Sequence, residues 1–169
     1  MRFSMRPDRV FSDYRRITPE FLTERGIRLL LCDLDYTLAP RSQPEPDGSL
    51  HRWLAALEQA GITVMILSNN RSPVRVECFC RRLGISYEGH ARKPSPEGFR
   101  RAMARCHASP QETAMLGDKL LTDMLGANRA GVLALMVEPL GGPKGAWNHV
   151  LHALQRPWKA AAREKCEEA

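Results

Sequence analysis

The sequence predicts an α/β fold: one mainly parallel sheet of about five strands with helices on both faces. Three observations predict it. Short apolar runs alternate with segments of helical period. Ser-Pro pairs and glycines punctuate those segments where helices start and stop. Polar clusters follow the apolar runs and do not interrupt them. The links are short, as expected where strands alternate with crossover helices. A chain of 169 residues is long enough for one domain, 1–169, and short of two.

Residues 1–26 carry weak pattern and read as an N-terminal extension. Phe11, Tyr14, Ile17, Phe21 and Leu22 suit a short helix packed on the body or on a partner. Residues 27–32 are the first strand. The polar stretch 39–48 holds Pro40, Pro44 and Pro46 and reads as a stiff surface loop. Leu50, Trp53, Leu54 and Leu57 then fall at i, i+3, i+4, i+7, one apolar helix stripe. Residues 62–67 are the second strand. Ser72-Pro73 reads as an N-cap and first helical residue ahead of the stripe Val76, Phe79, Cys80, Leu83. Residues 85–88 are the third strand. Ser95-Pro96 repeats the start signal ahead of Phe99, Ala102, Met103 and Cys106. Residues 113–116 are the fourth strand, followed by a helix on the frame Leu121, Met124, Leu125. Residues 132–137 are the fifth strand. Trp147, Val150, Leu151 and Leu154 place a last helix in a C-terminal segment, 144–169. Gly61, Gly84 and Gly131 stand where helices should stop.

Composition narrows the class. Hydrophobic residues make up 43% and charged residues 26%, an ordinary soluble balance. No apolar run reaches membrane-span length, and the N-terminus is too rich in Arg and Asp for a signal peptide. The cysteine count is odd, five, without framework spacing, which reads as reduced thiols in a cytoplasmic protein. Cys78 and Cys80 with His90 or His107 have the wrong spacing for zinc. The formal charge of +6 is uneven: residues 29–70 carry −3 and 108–140 carry −2, whereas 71–107 carry +6. The acidic segments hold the aspartate motifs. A cation-binding centre with a rim that attracts an anionic substrate suits that pattern, as does a solvated basic surface.

The chemistry lies after the strands. Asp33 and Asp35 stand two apart at the end of the first run, so an extended chain points both carboxylates to one side. Their repulsion calls for a cation, and a hard one such as Mg²⁺ would also bring a phosphate. Ser68, Asn69 and Asn70 follow the second run, Lys93 the third, and Gly117, Asp118 and Asp123 the fourth. Right-handed crossovers gather these ends at one sheet edge, where such sheets bind ligands near a switch point. The set suits phosphoryl transfer. Asp33 serves as nucleophile and Asp35 as general acid and base. Asp33, Asp118 and the main chain of Asp35 are the expected Mg²⁺ ligands. Ser68, Asn69 and Lys93 are the expected phosphate-binding groups. One of Asn69 and Asn70 is expected only to form the turn. Thr37 would fix the turn after Asp33, Asp118 would also cap the fourth helix, and Asp123 would ligate through water or pair with Lys93.

The run Asp33-Leu34-Asp35-Tyr36-Thr37-Leu38, then Ser68-Asn69-Asn70, Lys93-Pro94, and Gly117-Asp118 through Asp123 resembles the four motifs of the haloacid dehalogenase (HAD) superfamily. The resemblance implies a Rossmann-like core and the same roles for Asp33, Asp35, Ser68, Lys93 and Asp118. Ile17-Thr18-Pro19-Glu20-Phe21-Leu22 and the stretch 117–131 look like the small bacterial phosphatases of subfamily IIIA, which are similar to mitochondrial phosphatidylglycerophosphate phosphatases. Two positions depart. Tyr36 stands where such proteins usually have Asn, and Lys119, where Gln is common, adds a charge beside Asp118.

Neither the gap between Asp35 and Asn69 nor that between Ser68 and Lys93 holds an inserted cap domain. An open site fits a bulky or surface-bound ester. The expected substrate is phosphatidylglycerophosphate, a lipid head group at an anionic membrane surface, with the protein cytoplasmic and peripheral at the inner membrane face. Arg15-Arg16, Arg81-Arg82 and Arg100-Arg101 would draw it there. A nucleic-acid 3′-phosphate or a small phosphorylated metabolite is the alternative, nucleic acid being the weaker partner. A non-catalytic anion-binding scaffold is the third reading. A homo-oligomer would follow if residues 1–26 or the last helix exposed their apolar stripes.

Overall fold

A computed structural model describes residues 4–70 and 73–141. The chain runs β1 (Arg9–Phe11), a 3₁₀ turn (Tyr14–Arg16), α1 (Pro19–Thr23), β2 (Leu29–Cys32), α2 (Gly48–Gln59), β3 (Thr63–Leu67), α3 (Pro73–Leu83) and β4 (Ser86–Glu88). It continues through α4 (Glu97–Arg105), a 3₁₀ turn (Pro110–Glu112), β5 (Thr113–Gly117), a π-helical turn (Leu120–Met124), α5 (Leu125–Ala130) and β6 (Leu133–Val137). Six strands form one sheet in the order β1-β6-β5-β2-β3-β4. Every neighbouring pair is parallel.

The five expected strands are all present; four start a residue or two later than expected, and β5 starts at Thr113 as expected and runs one residue longer. The sixth, β1, pairs Val10 with Met136 at the sheet's edge. Only Val10 of its three residues is buried, too little apolar content to stand out from the chain around it. The 3₁₀ turn and α1 bury Tyr14, Ile17 and Leu22 against the body, and the Trp53 indole N–H donates to the Ile17 carbonyl at 2.8 Å.

Strand alternation divides the core into two layers. Leu30, Cys32, Val64, Ile66, Ala114 and Leu116 face α2 and α3. Leu29, Leu31, Met65, Leu67 and Met115 face α4, the π turn and α5. Both faces of β2 are therefore dry, which is why its sequence is an unbroken apolar run. The stripes on α2, α3 and α4 point inward, with Phe79 and Phe99 fully buried. Truncating either to alanine would cost about 3–5 kcal/mol.

Three local expectations shift. Ser95 sits one residue further from its helix than a cap should. Pro96 precedes α4, and the Ser95 hydroxyl accepts from the Glu97 N–H at 3.4 Å. Leu121 is exposed, while Leu120, Met124 and Leu125 are buried. The wider π turn rotates the frame by about one residue relative to an α-helix. Gly61, Gly84 and Gly131 do end helices, each in the left-handed region at φ 77°, 70° and 77°. Ser72, Cys166, Trp147, Trp158 and the C-terminal helix expected within 144–169 lie outside the described residues. No helix among the described residues is long and apolar enough to cross a membrane.

The turn after β2 contains Tyr36 at φ 69°, a conformation that crowds the Cβ of a large residue. The Tyr36 N–H donates to the Ala39 carbonyl at 2.8 Å, and its carbonyl accepts from the Leu140 N–H at 2.7 Å. Main-chain bonds on both sides hold the strained residue. Tyr36→Asn should raise stability by about 1 kcal/mol, read as a higher urea midpoint. A lower midpoint would mean that the packing of the phenol ring outweighs the strain.

Candidate active site

The switch in strand order falls between β2 and β5. Their register pairs Cys32 with Leu116, so Asp33 and Gly117 leave the sheet side by side. The Asp33 N–H donates to the Leu116 carbonyl at 2.9 Å and carries the ladder one residue further. Gly117 is required here: a Cβ would stand 2.5 Å from the Cβ and Cγ of Asp123. The π turn, with Asp123 N–H and Met124 N–H both bonded to the Lys119 carbonyl, folds Asp123 back over the end of β5. Asp123 Oδ2 accepts from the Lys119 N–H at 3.1 Å, so Asp123 caps its own turn. Asp118 does not cap it, contrary to expectation.

Three carboxylates and two ammoniums meet at this edge. Lys93 Nζ lies 2.9 Å from Asp33 Oδ1 and 2.8 Å from Asp123 Oδ1. Lys119 Nζ lies 3.2 Å from Asp33 Oδ2 and 2.8 Å from Asp118 Oδ1. Asp123 and the Lys93 side chain are essentially inaccessible, while the Lys119 side chain is 47% exposed. Burial opposes charge on Asp33, but the Lys93 and Lys119 ammoniums outweigh it and hold that carboxyl below its usual range. Burial pushes Asp118 up to about 6 despite Lys119, and it raises Asp123 against the pull of Lys93. For Lys93 and Lys119 burial favours the neutral amine, yet the surrounding carboxylates raise both.

One oxygen each from Asp33, Asp118 and Asp123 lies within 4.8 Å of the others, an all-oxygen donor set suited to a hard divalent cation. Asp123 Oδ1 is buried and close to Lys93, but no aligned hydrogen bond closes on it. A cation fits that deficit. Asp123, expected to reach the ion through water or to pair with Lys93, supplies the third carboxylate of the set, and the Asp35 side chain is not among them.

Asp35 is instead clamped. Its Oδ1 accepts from Arg75 Nε at 2.9 Å and its Oδ2 from Arg41 Nε at 3.0 Å. Arg75 also donates to the carbonyls of Gln43 and Pro40, at 2.7 and 3.0 Å, and so ties the proline-rich loop to α3. Sequence reasoning missed Arg75, because one arginine on a helix carries no local signal. Its only hint is an otherwise basic segment facing an acidic one.

Ser68 is buried, and its Oγ accepts from the Asn70 N–H at 3.0 Å, leaving its proton free to donate. Asn69 differs from expectation. Its amide donates to the Lys93 carbonyl at 2.9 Å and accepts from the Lys93 N–H at 2.7 Å. The amide oxygen and one amide N–H are used in this way, so Asn69 positions the lysine. Thr37, expected to fix its own turn, donates across the site to Asp118 Oδ1 at 3.3 Å. A cavity of about 580 Å³ opens beside Ser68, lined among others by Asn70, Arg81, Tyr87 and His90.

The comparisons with known proteins agree with this arrangement. A family model described as haloacid dehalogenase-like hydrolase matches residues 8–131. The "Probable phosphatase YqeG" of Bacillus subtilis is 34% identical over 159 residues, 94% of this chain and 92% of that protein. A solved HAD superfamily (subfamily III A) hydrolase from Legionella pneumophila superposes with TM-score 0.53 at 21% identity, covering 85% of this chain and 90% of that one. The 3-deoxy-D-manno-octulosonate 8-phosphate phosphatase of Yersinia pestis gives TM-score 0.53 at 19% identity, covering 85% and 80%. These two structures share the fold. The chain belongs to the haloacid dehalogenase-like hydrolases.

The buried carboxylates carry a pH signature. With Asp118 raised from 3.8 to about 6, the folded protein keeps a proton there that the unfolded chain has released. Folding then takes up protons between about pH 4 and about pH 6, and this group makes the fold less stable as pH rises through that window. Asp118→Asn removes the cost. In chelator, its melting temperature should exceed that of the wild type at about pH 7, by the equivalent of about 1–3 kcal/mol, and the excess should shrink towards zero as pH falls below about 4. An unchanged difference at the two pH values would contradict the assignment.

Proposed function

We propose that this haloacid dehalogenase-like hydrolase is a Mg²⁺-dependent phosphomonoesterase acting through an aspartyl-phosphate on Asp33, with phosphatidylglycerophosphate as its substrate. The observation that carries the reading is Asp33 itself. It is a buried carboxylate at the switch point, kept ionised by Lys93 and Lys119, in reach of two further carboxylates. An ionised carboxylate there is a ready nucleophile.

An Asp33 oxygen attacks phosphorus, and the ester oxygen leaves with a proton from Asp35. Asp35 then takes a proton from water, which attacks the phosphorus of the acyl phosphate and regenerates Asp33. Lys93 and the free Ser68 proton hold the equatorial oxygens as charge shifts. Asp33, Asp118 and Asp123 would hold Mg²⁺, which supplies charge neutralisation between nucleophile and phosphate. Of the two guanidiniums on Asp35, Arg41 is 64% exposed and Arg75 22%. Arg41 is therefore the one that yields to substrate, while Arg75 keeps the carboxylate aimed.

The phosphatase named at 34% identity supports the reaction class, and the lipid substrate rests on the resemblance to phosphatidylglycerophosphate phosphatases and on the lack of room for an inserted cap. One observation favours a second reading, a water-soluble phosphorylated metabolite. Arg15, Arg81, Arg82 and Arg101 each meet an acidic partner (Asp13, Glu77, Glu45 and Glu88), which weakens their pull on an anionic membrane.

The test is phosphate release from a panel with Mg²⁺: the lipid in anionic vesicles, soluble sugar phosphates and a 3′-phosphorylated oligonucleotide. The lipid should exceed the others in kcat/KM by at least about a hundredfold, and Asp33→Asn should lose about a thousandfold or more on every ester. Release from soluble esters alone would overturn the lipid reading and keep the enzyme. Equal activity of Asp33→Asn would reject the aspartyl mechanism.

Arg75 gives a separate expectation. Arg75→Met should lower kcat about 10- to 100-fold and shift the pH–rate profile, with little change in KM. Arg75→Lys should not restore kcat, since a single ammonium cannot serve Asp35, Pro40 and Gln43 together. A wild-type pH profile in both variants would leave Arg75 with only a structural role.

A further inference from the structure

We propose that Lys119 is a tethered cation that competes with the divalent ion for Asp33 and Asp118, so that ion binding and release of this lysine are a single exchange. The inference rests on the metal-dependent reading above. It concerns the residue at 119 and not the donor set.

The two lysines at the sheet edge are held differently. Lys93 is buried, its main chain is bracketed by both ends of the Asn69 amide, and its Nζ faces Asp33 Oδ1 and Asp123 Oδ1. It is part of the fold. Lys119 reaches the cluster from the solvent side, with its side chain 47% exposed. Its main-chain N–H is fixed by Asp123 Oδ2 at 3.1 Å, so the π turn stays in place if the side chain moves away. Lys119 Nζ bonds Asp33 Oδ2 at 3.2 Å and Asp118 Oδ1 at 2.8 Å.

Asp33 Oδ2 is the oxygen of that residue a metal ion has left to take, and Lys119 Nζ covers it together with one side of the Asp118 carboxylate. Asp33 Oδ1 already serves Lys93, and Asp118 Oδ1 keeps its second donor, Thr37 Oγ1 at 3.3 Å, which holds the carboxylate aimed when the lysine leaves. Mg²⁺ needs oxygen ligands at about 2.1 Å, inside the space an ammonium bonded to both oxygens covers. Charge points the same way. Three carboxylates against Lys93 and a divalent ion are balanced, whereas keeping Lys119 in place would add an unmatched positive charge beside the ion. Lys119 thus offsets part of the cluster's negative charge in the ion-free protein and weakens ion binding by occupying its place.

The experiment is calorimetric titration of Mg²⁺ into the stripped full-length protein, without substrate, for wild type, Lys119→Gln and Lys119→Arg. Melting curves with chelator and with saturating Mg²⁺ accompany it. Lys119→Gln should bind Mg²⁺ roughly tenfold or more tightly, the scale of one partly screened like-charge repulsion. It should melt lower than wild type in chelator, and Mg²⁺ should close the gap. Lys119→Arg should keep the weaker, wild-type affinity. Equal or weaker Mg²⁺ binding by a cooperatively melting Lys119→Gln would overturn the exchange and leave the metal-dependent reading intact. Failure of every protein to bind Mg²⁺ would overturn both.

Discussion

Lys93 is the group on which the site depends. Its buried ammonium lies within 2.9 Å of Asp33 and 2.8 Å of Asp123, carboxylates that solvent reaches little or not at all. Removing one member of such a buried set leaves an opposed charge, at a cost of about 3–5 kcal/mol. The surroundings are arranged to prevent that. Asn69 brackets the lysine's main chain, Gly117 leaves room for Asp123, and the π turn delivers Asp123 from beyond the strand end. Asp33, the nucleophile of the proposed reaction, can then be charged while largely shielded from water, which a low-dielectric site otherwise opposes. The ammonium that keeps Asp33 ionised also ties the end of β2 to the π turn after β5.

The fold was legible because its signals are local and repeated. A parallel strand buried on both faces must read as an apolar run, and β2, β3 and β5 do. Helix stripes and glycine stops fixed what lies between them. β1 escaped because an edge strand of three residues with one buried side chain has no pattern to show. The shift at Leu121 escaped for another reason. A π turn is made by tertiary demand at the site, here the need to bring Asp123 over Gly117, and no propensity in Leu120–Met124 announces it.

The site residues were legible as a set but not in their division of labour. Strand ends and residue types identified Asp33, Ser68, Lys93, Asp118 and Asp123 as neighbours. Which of them touch is decided by side-chain reach across loops. Thus Thr37 bonds Asp118, 81 residues away, in place of its own turn. Asn69 spends its amide on Lys93, and Asp35 turns toward two arginines and leaves the oxygen cluster. Arg75 and Lys119 matter through such cross-loop contacts, and periodicity cannot show them. Both are cations set against catalytic carboxylates. One stays to orient Asp35, and the other stands where an ion would bind.

The central claim is that Asp33 carries the phosphoryl group. Acid quenching during turnover, followed by borohydride reduction and peptide mapping, reads this directly, because an acyl phosphate at position 33 is reduced to homoserine. The account predicts homoserine at 33 when substrate and Mg²⁺ are both present, and none at 35, 118 or 123. Sustained phosphate release with an unmodified Asp33 would contradict it.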